Sequence, residues 1–185
     1  MDSLMAALVA ALLIRASDNS ADLTAIVAER SKRTGLILFG ALIALIITQT
    51  VAAIAGMLVA HYLTPNAARL MFAFSLLMAS GGAVWPRKPV KPGTAHHPFV
   101  AITSKLIATG LGDRTMFATF AVAAGGVPAL AGVGGFIGGF VILTAAAVAG
   151  ETLWGQRPRR AIDWTIGGVL LIAGAWLAFS ALRLI

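Results

Sequence analysis

Two acidic residues interrupt apolar sequence at matching places in this chain. Asp113 lies in Gly-Leu-Gly-Asp-Arg-Thr at 110–115, inside an apolar stretch from about 99 to 124. Asp18 lies in Arg-Ala-Ser-Asp-Asn-Ser at 15–20. Each charge at a bilayer centre costs roughly 2.5–3.5 kcal/mol on insertion scales, so charges retained there call for a use. Carboxylates are natural ligands of hard divalent cations, because they supply oxygen and negative charge together. Carboxylates held close together also keep protons more tightly. A divalent cation entering between them would expel those protons, which is the chemistry of exchange.

Asp18 and Asp113 are therefore the expected central metal ligands. Asp22, one helical turn beyond Asp18, is a candidate third carboxylate. Ser20, Thr115 and Thr119 offer hydroxyls, while Gln49 and Thr144 offer neutral oxygens. Arg15 and Arg114 oppose a cation and read as gating or charge-pairing residues. Arg15 stands three residues before Asp18, close enough to pair with it. Together Asp18, Asp22, Asp113, Arg15 and Arg114 carry three negative and two positive charges. The competing reading is structural: buried ion pairs that hold two interrupted helices together.

The elements that must position these residues are membrane helices. Of the 185 residues 59% are hydrophobic and 11% charged, with mean hydropathy +0.91; soluble domains carry about 25% charged residues. The composition describes an integral membrane protein with the lipid bilayer as its first partner. No cysteine is present, which excludes disulfides and thiolate metal sites. The net charge of +7 does not indicate nucleic acid: nine of the fourteen Lys and Arg fall in three short clusters between apolar stretches, as in topology-setting loops. No basic segment precedes the apolar residues 3–14, so they read as part of a retained span and not a cleaved signal.

A spanning helix needs about 20 mainly apolar residues. Spans are expected near 3–28, 35–60, 67–85, 99–124, 127–150 and 162–184. Loops 29–34, 86–98 and 155–161 carry the basic clusters and are expected in the cytoplasm, with both termini outside. A bacterial inner membrane is the expected location. Trp85, Trp154 and Trp164 sit near span ends, where interfacial anchors are found.

The Pro-rich segment 86–98 divides the chain into 1–85 and 99–185, each with three expected spans. Shifted by about 95 residues, Ser17-Asp18-Asn19-Ser20 falls on Gly112-Asp113-Arg114-Thr115. With small drift, 51–56 falls on 145–150 and Pro65 on Pro158. Three spans are an odd number, so the second half enters the membrane inverted. The expected fold class is all-α: six transmembrane helices as two inverted three-helix repeats. Such repeats build secondary transporters with sites near the midplane on interrupted helices. Gly110 and Gly112 weaken one such helix, and Ser17, Asn19 and Ser20 weaken the other.

Leu111-Gly-Asp-Arg-Thr-Met-Phe117 resembles the second signature of the Gdt-one family of membrane cation/proton exchangers. The resemblance implies two inverted three-span halves, each with a Glu-x-Gly-Asp-Lys/Arg-Thr/Ser motif on its first span. It also implies exchange of manganese or calcium for protons. The departures are specific. The motif's Glu falls on Gly110 in the second half and on Arg15 in the first. Its first-half Gly falls on Ser17, and its Lys/Arg on Asn19. Only Asp18 and Asp113 carry over as acidic ligands, which makes the chain a divergent member.

Other features carry less. Lys105 is expected to snorkel toward the cytoplasm. Gly132, Gly134, Gly135, Gly138 and Gly139 put small residues at helical spacing, as in close helix packing, and permit a homodimer. His61, His96 and His97 lie in connectors, and Glu151 and Asp163 are expected to pair with the neighbouring arginines. No nucleotide loop, zinc spacing or nucleophile–base set is found, so neither an enzyme nor a cofactor is expected. The function expected is divalent cation (Mn²⁺ or Ca²⁺)/proton exchange at a site between the repeats. The alternatives are transport of another small solute, or a membrane scaffold of the same fold.

Overall fold

A computed structural model describes residues 2–85 and 98–182. Among these residues there are eight helices and no strand. They are α1 (Ser3–Ala16), α2 (Asn19–Ser31), α3 (Thr34–Ala60), α4 (Pro65–Val84), α5 (Pro98–Gly110), α6 (Arg114–Gly125), α7 (Pro128–Gln156) and α8 (Arg159–Ala181). The basic segment 86–97, with His96 and His97, lies outside the described residues.

The start signals are local. Asp2, Asp18, Thr64 and Asp113 cap α1, α2, α4 and α6 through side-chain oxygens that accept backbone N–H groups. Pro65 and Pro128 sit in the first turns of α4 and α7, where a missing N–H costs nothing.

Four helices, α3, α4, α7 and α8, are long and apolar enough to cross a membrane, and α1 with α2 passes as one broken span bent by 65°. The expected spans 3–28 and 99–124 are each two short helices. At about 1.5 Å per residue, the 13 residues of α5 reach roughly 20 Å, short of a bilayer core of about 30 Å. α7 runs six residues past the expected end at 150, because Gly150 (φ 70°) breaks it and a further turn continues to Gln156.

Apolar side chains form both the core and much of the outer surface. Large apolar side chains such as Met78, Val148, Leu153, Ile172 and Trp176 face outward. The buried set includes Arg15, Asp22, Thr24, Thr48, Gln49, Thr115 and Thr119. α7 lies at the centre, against α1, α2, α3 and α6; α3 also receives α5 and α6, and α4 lies along α8. Small residues make these approaches possible. A Cβ on Gly138 would stand 2.6 Å from the Leu8 carbonyl of α1, and one on Gly56 would stand 2.6 Å from the Phe120 carbonyl of α6.

Candidate functional site

Both acidic islands are helix breaks, and at each the aspartate opens the second short helix. α1 closes with the Ser17 hydroxyl donating to the Ile14 carbonyl at 3.0 Å. Asp18 is extended (ψ 152°) and accepts from the Ser20 N–H at 3.3 Å and the Ser20 hydroxyl at 2.6 Å. α5 ends at Gly110, and Gly112 turns the chain with φ +88°, a conformation that side chains rarely adopt. Asp113 (ψ 157°) then accepts from the Arg114 N–H at 2.6 Å. Glycine, serine and aspartate interrupt the two apolar runs because they favour turns and caps over continued helix.

The two breaks exchange charges. The Arg15 guanidinium approaches Asp113 Oδ2 at 3.9 Å, and the Arg114 guanidinium approaches Asp18 Oδ1 at 3.6 Å. Arg15 is nearly fully buried and also donates to the Ser20 hydroxyl at 3.2 Å. Arg114 donates to the Ala79 carbonyl at 3.1 Å and the Ser17 carbonyl at 3.5 Å. Gly82 makes room for it, since a Cβ there would stand 2.8 Å from its Nη1. Arg15 therefore joins the distant Asp113 and not its sequence neighbour Asp18. The two carboxylates and two guanidiniums of the centre balance to zero.

Asp22 belongs to a different cluster. Its carboxylate takes Arg157 at 2.9 Å, Arg159 at 3.1 Å and the Trp154 indole N–H at 3.0 Å. Arg157 lies 3.8 Å over the Trp154 ring and donates to the Ala16 carbonyl at the end of α1. Burial pushes the Arg157 guanidinium below its ordinary value, while Asp22 opposes that shift. Trp154 is thus tied into an ion-pair cluster and is not a free interfacial anchor, unlike the exposed Trp85 and Trp164. Among the described residues, no group of three or more acidic or histidine side chains gathers as a metal set.

Beside this cluster, Glu29 of α2 accepts from the Thr152 N–H at 3.0 Å, where Gly150 breaks α7. Arg30 pairs with Glu151 at 3.2 Å. Glu151 thus reaches across to α2 instead of pairing with the arginines that follow it.

The remaining polar residues lie deep. Thr115 and Thr119 on α6 and Gln49 on α3 are almost wholly buried, and their side-chain polar atoms make no hydrogen bond within the protein. The same holds for Asp113 Oδ2, Arg15 Nε and Thr144 Oγ1. A Cβ on Gly135 would collide with both Gln49 Oε1 and Thr119 Oγ1. The α7 glycines therefore divide in two. Gly134 and Gly138 pack on the α1 backbone, while Gly135 borders Gln49 and Thr119, and Gly139 meets Leu45 and, at 3.6 Å, Arg15 Nε. Both sets pack within the chain.

Residues 98–184 match the family described as divalent cation/proton antiporter GDT1. No curated protein and no solved structure shows significant similarity to the chain. With its apolar helices, the chain is an integral membrane protein.

Proposed function

We propose that the protein is a secondary transporter that exchanges a divalent cation, Mn²⁺ or Ca²⁺, for protons. Asp18 and Asp113 are the central ligands, assisted by Ser20 and Thr115. The observation that carries this reading is the crossed ion pairing of two N-capping aspartates at two helix breaks, in a chain whose second half matches an antiporter family.

The reading has a specific charge mechanism. Arg15 and Arg114 neutralise the aspartates when no cation is bound. A divalent cation would replace two guanidinium charges, so its entry requires both arginines to withdraw. Arginine occupancy and cation occupancy are then alternatives, and the swing between them is a natural gate. Asp22, held by Arg157 and Arg159, serves the closure of one end and not the site.

The six-span arrangement belongs to this proposal: 1–85 and 99–185 as inverted halves, joined by 86–98, in a bacterial inner membrane with both termini outside. It is supported by the matched order of elements, in which α5 meets α3 as α1 meets α7, and α6 meets α3 as α2 meets α7. The test is flux in proteoliposomes. Asp18→Asn and Asp113→Asn should each abolish Mn²⁺-driven proton movement while the protein still reconstitutes. Undiminished flux in both variants would remove the aspartates from the mechanism.

A second reading is favoured by Arg15, which is buried where the family motif places Glu. It takes an anionic or zwitterionic small solute as the substrate. Solute flux without metal dependence would support it.

A further inference from the structure

Between α3, α6 and α7 lies a set of buried polar atoms that the ion pairs do not use. Gln49 is 2% exposed, Thr115 0% and Thr119 1%, and none has a hydrogen-bond partner for its side chain within the protein. Leaving such groups unpaired costs about 1–3 kcal/mol each, so an occupant is called for. Gly135 borders Gln49 and Thr119, and Gly139, one turn along the same face, borders Arg15 with a would-be Cβ 3.6 Å from Nε. Arg15 in turn reaches Asp113, whose Oδ2 makes no hydrogen bond. On its other side Gln49 touches an apolar groove of about 380 Å³ between α3 and α7, lined mostly by Ile46, Ala53, Ile54, Val133 and Phe136. The unpaired polar atoms thus adjoin the ion pairs.

The chemistry of these atoms selects the occupant. Gln49 Oε1, Asp113 Oδ2 and the threonine hydroxyls accept, whereas Gln49 Nε2 and Arg15 Nε can only donate. A cation would satisfy the acceptors alone, and an anion the donors alone. Water satisfies both and typically makes about three hydrogen bonds in such sites. We infer that Gln49, Thr115 and Thr119 hold a short file of bound waters that reaches Asp113 and Arg15. The file is the hydrated approach to the central site. Its role in exchange rests on the transport reading above, but its existence does not.

The chain has no cysteine, so a single introduced thiol reports on water without background. Thr115→Cys and Thr119→Cys are close in size to the native residues. Ala131→Cys, at a fully buried apolar position of α7, is the control. Each is exposed in membranes to 2-aminoethyl methanethiosulfonate, which reacts with the hydrated thiolate. Labelling at 115 and 119 is expected to be about tenfold faster or more than at 131. Adding Gly135→Ala to Thr115→Cys should slow the labelling by crowding Gln49 and Thr119. Rates at both threonine positions no faster than at 131 would overturn the inference. Fast labelling together with no metal flux in the unsubstituted protein would keep the water file and remove the exchanger reading instead.

Discussion

Arg15 and Asp113 stand 3.9 Å apart, on opposite sides of the segment that divides the chain. Each is largely buried, with side-chain exposures of 4% and 12%. Their neighbours Asp18 and Arg114 repeat the pairing with the signs exchanged between halves. The centre is therefore cross-linked by charge, and each half supplies one acid and one base to the other.

Breaking one partner of a buried pair leaves an uncompensated charge. Arg15→Gln or Asp113→Asn alone should destabilise the detergent-solubilised protein by about 3–5 kcal/mol. The double variant should lose clearly less than the sum of the two, because it removes both charges. Thermal unfolding of the four proteins gives the cycle; additive losses would mean that the pair contributes no coupling.

Arg15→Glu puts an acid beside Asp113 and Asp18 in place of a base. The central charge changes from balanced to doubly negative. Mn²⁺ binding, measured by isothermal titration, should tighten by at least about tenfold, equivalent to roughly 1.4 kcal/mol. Unchanged or weaker binding would argue that Arg15 does not face the cation.

Two glycines should respond differently to the same methyl group. At Gly112 nothing stands within 4 Å of a Cβ, but φ is +88°. Gly112→Ala should therefore cost roughly 1–2 kcal/mol through backbone strain alone. Gly82→Ala, in an ordinary helix, meets the Arg114 guanidinium instead. It should push that side chain off Asp18 and alter flux more than stability. Equal effects on both readouts would contradict the distinction.

Asp22→Asn removes the acceptor shared by Arg157, Arg159 and Trp154. Arg157 is the more buried arginine, and the loss should be about 3 kcal/mol. Metal affinity of the folded protein should change little, because Asp22 stands with the arginines after α7 and not with the central pairs. A large drop in affinity without a drop in stability would return Asp22 to the site.

The helix breaks were legible in the sequence because their causes are local. Clusters of Gly, Ser, Asp and Asn inside apolar runs have few other uses. The partners of the charges were not legible. Arg15 and Asp18 share a helix turn by spacing, yet Asp18 is spent capping α2 and Arg15 is carried across to Asp113. Asp22 looked like a site ligand because it follows Asp18 by one turn. Asp18, extended at the N-cap, stands outside the helical turn that carries Asp22, and Arg157 and Trp154 come from far along the chain to meet Asp22. Gly135 and Gly139 share a spacing pattern with Gly134 and Gly138, and only the neighbouring helices decide which pair packs on backbone and which borders polar groups.

At Gly150 the ladder of α7 stops, and the Thr152 N–H is held by Glu29 of α2. Arg30–Glu151 and Asp22–Arg157 add two further ties between the same two helices. The last turn of α7 is thus tied to α2 by side chains as well as to its own helix by the chain, with Gly150 between the two. A rearrangement that swings α2 can carry this end of the molecule with it while the long apolar body of α7 stays where it is.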